Sequence, residues 1–260
     1  MSTEFRSVHN RKVKLIAHRG ESADAPENTM AAFRLAYARH ADAIELDVHL
    51  TKDDELLVCH DPDTERTTGT CMMIRESLVQ ELRALDAGVW KGPQWAGEKL
   101  PTLAEVTTTL PNGIRCFIEV KVGPEAIPAL EKIVRQFSTK ADQLVIMSFV
   151  PETVAEAKRR MPDITAYLLS NFEHDKVVLA WTPTAQSLID QTKAIGADGI
   201  GLHHEGPVNR SFVYHLKTAG LAVYIWTVDD AALARRLMQA GVDGITTNRA
   251  GWLREQLEAE

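Results

Sequence analysis

Residues 43–62 read AIELDVHLTKDDELLVCHDP. Ile44, Leu46, Val48 and Leu50 alternate with Glu45, Asp47 and His49, the two-residue period of a β-strand. The polar TKDDE then turns the chain, and a second apolar run returns it to His60 and Asp61. A strand on an open sheet would send its acids to water. This one aims two carboxylates to one side and brings a histidine back towards them.

Outward from this stretch, short apolar runs alternate with helical patterns along almost the whole chain. KVKLIAH is a strand, and PENTMAAFRLAYARH is a helix capped by Asn28 or Thr29, with Met30, Phe33 and Tyr37 turned inward. TLAEVTTTL opens with Thr102 and Glu105 at capping-box spacing, and RCFIEVK is the next strand. The alternation continues through QLVIMSF, ITAYLLS, ADGIGLHH, LAVYIWTV and VDGITT, with a helix over roughly 184–195 and another capped by Asp229 or Asp230 and closed by Gly241. Counting ELLVCH as a hairpin excursion leaves a βα alternation that predicts a closed (β/α)8 TIM barrel, with an open doubly wound sheet as the alternative. No glycine-rich phosphate loop follows the first strand, which weakens that alternative. A Gly- and Thr-rich stretch over about 62–100, too long for an ordinary βα connection, reads as a small insertion within a single domain.

Barrel strands alternate between the interior and the helix layer. Ile44, Leu46 and Val48 therefore face the helices, while Glu45 and Asp47 face inward. In the strand 115–121, Cys116, Ile118 and Val120 face out, and Glu119 and Lys121 face in. Interior carboxylates are costly unless paired or bound to a metal. Three of them near strand C-termini, where barrel active sites lie, point to a hard cation such as Mg²⁺, Ca²⁺ or Mn²⁺. A turn near Asp53 and Asp54 sets position 60 opposite 46 or 47, so His60 returns beside the acids. His18 ends the first strand at the same rim, and Arg19 offers a fork for an anion. Two imidazoles, a divalent cation and a guanidinium form a set suited to cleaving a phosphodiester.

Composition narrows the classes. The chain has 260 residues, 45% of them hydrophobic and 25% charged, and a net charge of −7 without a basic cluster, which disfavours a nucleic-acid surface. Cys59, Cys71 and Cys116 lack metal-binding spacing and read as reduced thiols. The N-terminal segment has no apolar core like that of a signal peptide, and no run is long enough to span a membrane. The expectation is a cytoplasmic protein without stable membrane association.

The motifs HRG and PENT, then ELDV, HD, EVK and WTV in this order, resemble the glycerophosphodiester phosphodiesterase family from about Ala17 to Asn248. HRGESADAPENT with IELDVHLTKDDELLVCHD carries most of the specificity; TERTTGT and LDAGVWKG further resemble the bacterial cytosolic branch. The resemblance implies a TIM barrel with an insertion after the HD strand, and Glu45, Asp47 and Glu119 as ligands of one divalent cation. It implies His18 and His60 as the acid–base pair, and Arg19 and Lys121 on phosphate. The implied reaction releases sn-glycerol 3-phosphate and an alcohol such as choline or ethanolamine; the net charge of −7 and the lack of a basic amphipathic helix point to a small soluble diester as substrate. The rival readings are a lysophospholipase D-like enzyme and a non-catalytic barrel that binds polyol phosphates. One departure is TTNRAG, with Asn248 where the family commonly has an acid, which puts a rim role there in doubt.

Other residues carry simpler expectations. Trp226, at a strand end, is a candidate wall for the alcohol. Asn28 is a helix cap, and Asp61 braces the hairpin turn. Met72, Met73, Ile74, Trp90 and Trp95 are expected to form the insertion's own core rather than an acyl groove, with a substrate wall the equal alternative for Trp90 and Trp95, and Trp252, Leu253 and Leu257 form the docking face of the last helix.

Overall fold

A computed structural model describes residues 13–177 and 179–259. The first twelve residues, including Lys12 of the expected first strand and the segment read for a signal peptide, lie outside the described residues.

The chain begins with β1 (Lys14–His18), α1 (Met30–Ala38), β2 (Ala43–Leu50) and β3 (Leu56–Val58). Two single-turn helices, α2 (Glu65–Thr68) and α3 (Val79–Leu82), lead to α4 (Leu103–Thr109), β4 (Arg115–Val120) and α5 (Ile127–Gln136). Then come β5 (Leu144–Ser148), α6 (Pro151–Arg160), β6 (Thr165–Ser170), and the short β7 (Glu173–Asp175) and β8 (Ala180–Thr182). The last third runs α7 (Ala185–Ala194), β9 (Gly199–His203), α8 (Arg210–Thr218), β10 (Ala222–Trp226), α9 (Ala231–Ala240), β11 (Gly244–Thr247) and α10 (Ala250–Glu258).

Eight parallel strands close into a barrel. Their order is β1, β11, β10, β9, β6, β5, β4, β2, and β2 pairs again with β1. The alternation along each strand separates two cores. Ile44, Leu46, Val48, Cys116, Ile118 and Val120 pack outward with Phe33, Val106, Leu130 and Val154 of the helices. Inside, Ile16, Phe117, Tyr167, Leu169 and Tyr224 fill the lower barrel. Gly244 is required there, because a Cβ at that position would lie 2.4 Å from the Tyr224 ring. A fully buried large apolar side chain contributes roughly 1.5–3 kcal/mol, so these two layers dominate the stability of the closed sheet.

Side-chain caps fix where several helices begin. Thr29, Thr102, Thr184, Asn209 and Asp230 each accept a backbone N–H in the first turn, an interaction worth about 1 kcal/mol. Thr102 and Glu105 form the expected reciprocal box, and Gly241 closes α9 in the left-handed conformation.

β3 folds back antiparallel on β2, with Val48 opposite Val58 and Leu50 opposite Leu56. Between β3 and α4 the insertion has a small core of Leu57, Cys59, Ile74, Leu82, Ala87 and Leu100, with Met72 and Val79 against it. Trp90 and Met73 depart from the expected core: they are exposed, because the short helical turns can enclose only one layer of aliphatic side chains. Trp252 also faces outward, with Arg249 over its ring, while Leu253 is buried and Leu257 packs against the same core. The hairpin of β7 and β8 lacks a sequence signal because its residues are mostly exposed and each strand is only three residues long.

Candidate active site

Strand register assembles the site. β1 pairs with β2 so that His18 stands beside Glu45, and β2 pairs with β4 so that Asp47 stands beside Glu119. The two pairs are two residues apart on one face of β2, and both lie towards the C-terminal end of the barrel, the end on which barrel enzymes build their sites. Glu45, Asp47 and Glu119 are buried, and each offers an oxygen within 4.8 Å of the others.

Burial raises the Glu45 carboxyl well above its ordinary range, with further upward pressure from Asp47 and then Glu119. Glu119 is raised by burial and by Asp47, against the downward pull of Lys121. Two cations offset the cluster. Arg19 Nε lies 3.1 Å from Asp47 Oδ2, a charge contact without hydrogen-bond alignment. Lys121 Nζ donates to Glu119 Oε1 at 2.7 Å and lies 3.5 Å from Asp47 Oδ1. Three acids face two cations, and Asp47 Oδ1 is buried without a hydrogen bond. Each uncompensated buried ion costs several kcal/mol. A donor set made only of carboxylate oxygens, with an orphaned oxygen among them, fits a hard divalent cation.

The turn after β1 delivers Arg19 and Asn28. Both occupy left-handed backbone conformations, with φ of 55° and 58°, which are strained for residues with a side chain. The strain is held by specific bonds. Arg19 N–H donates to Glu45 Oε2 at 2.9 Å, and Asn28 N–H donates to the Arg19 carbonyl at 3.0 Å. Gly20 follows with φ of 80°, and a Cβ there would strike the Ala32 backbone at 2.6 Å, which explains the glycine of HRG. Thr29, not Asn28, caps α1. Asn28 instead donates its amide N–H to Asp47 Oδ2 at 2.9 Å, so it supports an acid of the cluster.

His18 Nδ1 lies 2.7 Å from Asn248 Oδ1. The Asn248 amide is oriented by Asp229, which accepts from Asn248 Nδ2 at 2.6 Å and from Asn248 N–H and Thr247 Oγ1 at 2.8 Å. Asp229 thus serves the β11 end, while Asp230 alone caps α9. With its oxygen turned to the imidazole, Asn248 accepts a hydrogen bond from His18 Nδ1–H and leaves the Nε2 lone pair free towards the acids, 4.0 Å from Glu45 Oε2. Burial, then the Arg19 charge, lowers the His18 pKa to about 4.

His60 arrives on the returning limb of the hairpin. Cys59 N–H donates to the Asp47 carbonyl at 3.0 Å, and His49 Nε2 lies 3.0 Å from the His60 carbonyl. His60 Nδ1 is 2.7 Å from Asp61 Oδ1, so Asp61 braces the imidazole rather than the turn. Asp61 in turn accepts from Arg66 Nε at 2.5 Å. The other two nitrogens of that guanidinium donate to Glu27, at 3.0 and 2.8 Å, and Glu27 also accepts from Arg19. Burial alone would raise Glu27, but Arg66 and Arg19 outweigh it and set the carboxyl at about 2.

Trp226 stands apart from these charges. Its ring meets Phe149 edge-on at 5.5 Å and His203 at 4.9 Å, forming an aromatic wall on the β5, β9 and β10 side of the mouth. Its indole N–H is buried without a partner.

His18, Arg19, Glu45, Asp47, Glu119 and Lys121 therefore converge as expected from sequence, and His60 joins them through Asp61, Arg66 and Glu27. Sequence reasoning missed Asn28, Glu27, His49, Arg66, Asp229 and the orienting contact of Asn248. Strand-end position was the available signal for Asn248, and the inward parity of His49 was the signal on β2.

Fold and site together define a (β/α)8-barrel enzyme equipped for phosphodiester hydrolysis. The chain belongs to the glycerophosphoryl diester phosphodiesterase family, whose family model matches residues 18–251. It is 34% identical to a glycerophosphodiester phosphodiesterase of Caldanaerobacter subterraneus subsp. tengcongensis, over 91% of this chain and 94% of the relative. It is 31% identical to a glycerophosphodiester phosphodiesterase of Bacillus subtilis, over 91% of this chain and 84% of that protein. Among solved structures it is similar to an Oleispira antarctica phosphodiesterase in complex with the product sn-glycerol-3-phosphate. The TM-score is 0.84 at 26% identity, over 94% of this chain and 96% of that one. No helix among the described residues is long and apolar enough to cross a membrane.

Proposed function

We propose that the protein hydrolyses small glycerophosphodiesters, such as glycerophosphocholine or glycerophosphoethanolamine, to sn-glycerol 3-phosphate and the free alcohol in the cytoplasm. The observation that carries this reading is the placement of His18 Nε2 over an all-carboxylate cluster that retains an orphaned oxygen. The Oleispira relative, which binds sn-glycerol-3-phosphate, supports the same product. The chain acts as one barrel domain, with the 62–100 insertion supporting its rim.

Glu45, Asp47 and Glu119 would hold one Mg²⁺, Ca²⁺ or Mn²⁺ ion. When bound, that ion supplies positive charge to a phosphate oxygen and makes the phosphorus more electrophilic. Arg19 and Lys121 hold the remaining phosphate charge and fix the diester's orientation. His18, neutral because burial depresses its pKa, accepts at Nε2 a proton from the attacking water, whose oxygen bonds to phosphorus. His60, its Nδ1 held by Asp61, delivers a proton from Nε2 to the departing alkoxide. The phosphorus–oxygen bond to the alcohol breaks as the new one forms. Trp226 and Phe149 shield the alcohol side from water.

Divalent-dependent release of glycerol 3-phosphate from a panel of glycerophosphodiesters tests the proposal, with lysophosphatidylcholine as the comparison. The small diesters should be cleaved with the higher specificity. A preference for the lysophospholipid, or full activity without metal, would overturn it.

A further inference from the structure

We infer that Arg66, contributed by the insertion, is a positioning residue that holds the proton donor and the phosphate-binding arginine in a common frame. The geometry is a three-way fork. Nε bonds Asp61, which faces the imidazole of His60, while the two terminal nitrogens form a bidentate pair with Glu27, which holds Arg19. A lysine has one nitrogen and cannot reproduce this arrangement. Bidentate charge-assisted bonds also fix angle as well as distance. Arg66 lies on α2, outside the barrel framework, and no expected role for the insertion required such a contact.

The two arms act on different parts of the reaction. The Asp61 arm orients His60 and so governs proton delivery to the leaving group. The Glu27 arm orients Arg19 and so governs the grip on phosphate. Loosening both by a small displacement leaves every reacting group present but misplaced, a change that can cost large factors in rate. The inference rests on the reading of His60 as proton donor, and the test separates the two claims.

Arg66→Lys and Arg66→Met should be assayed with glycerophosphocholine and with a glycerophosphate diester carrying a nitrophenyl leaving group, which departs without help from an acid. With the alkyl ester, kcat should fall by roughly 10- to 100-fold, within the range of general-acid losses. With the aryl ester it should fall only about threefold, while KM rises alike for both through the Arg19 arm. The same substitutions placed in a His60→Ala background should lower kcat on the alkyl ester by no more than about threefold further, because groups acting as a unit are not additive. An undiminished loss in that background would overturn the role of Arg66. If His60→Ala itself slows both esters equally, the proton-donor assignment falls, and the double-variant comparison still decides whether Arg66 works through His60. Should Arg66→Met fail to fold, Arg66→Lys, which keeps the charge and loses the fork, carries the whole comparison.

Discussion

His18 Nδ1 and Asn248 Oδ1 are 2.7 Å apart, joining the first strand of the barrel to the loop after the last. The carbonyl end of Asn248 can face the imidazole because Asp229, which can only accept in its ionised form, claims the amide nitrogen. Position 248 thus has a rim contact after all: it supplies an oxygen acceptor to His18, which an amide offers as a carboxylate would.

Asn248→Asp keeps an oxygen for His18 and should alter kcat/KM by less than about tenfold, or about 1.4 kcal/mol. Asn248→Leu removes the acceptor and should lower kcat by more than about tenfold, with KM little changed. Steady-state kinetics on both variants checks the contrast. Equal effects would mean that Asn248 does not set the His18 tautomer.

Chelation should abolish turnover, and Mg²⁺, Ca²⁺ or Mn²⁺ should restore it. The acids themselves predict a less obvious result. Burial and mutual repulsion raise both Glu45 and Glu119, so the metal-free protein carries unfavourable charge there. Glu45→Gln should weaken metal binding at least about tenfold, yet melt no lower than the wild type in chelator. Calorimetry with and without the cation reads both effects.

His18→Ala and His60→Ala should each reduce kcat by roughly 100-fold or more, the scale of lost acid–base catalysis. Neither imidazole is assigned as a ligand, so divalent-ion affinity should persist. Isothermal titration beside kinetics distinguishes this outcome from a ligand role.

Glu27 makes stability depend on acidity. Its folded pKa of about 2 lies below the ordinary 4.5, so its ionised form favours the folded state. That contribution, on the order of 3 kcal/mol from the size of the shift, is fully present above pH 4.5 and is lost as pH falls towards 2. Denaturant midpoints of wild type and Glu27→Gln should therefore converge below pH 4.5 and differ by a constant amount near neutrality.

The barrel was legible because its strands carry two messages at once. In residues 43–50 the alternation gave both the strand and the inward side of Glu45 and Asp47, and the same parity placed Glu119 and Lys121. The turn at Asp53 and Asp54 then sufficed to return His60. Contacts made by extended side chains across distant loops were not legible. Arg66 reaches Glu27 across 39 positions and Asn248 reaches His18 across 230, and no periodicity encodes either distance. Asn28 was misread because a residue beside a helix start resembles a cap, while its left-handed backbone turns the amide to Asp47. Exposed Trp90 and Trp252 show a similar limit, since apolar character alone does not fix which side of a short element is covered.

The pairing of β1 with β11 brings the first and last strands of the chain side by side. Glu45, Asp47, His60 and Glu119 all lie in the first half of the chain. All three acids sit on β2 and β4, which are neighbours in the sheet. The acceptor that faces His18, Asn248, lies instead just after β11, near the other end of the chain. Cutting the chain before β11 would therefore leave all three carboxylates in place in the sequence while removing the acceptor that faces His18, so the acids and the histidine's partner come from separable parts of the chain.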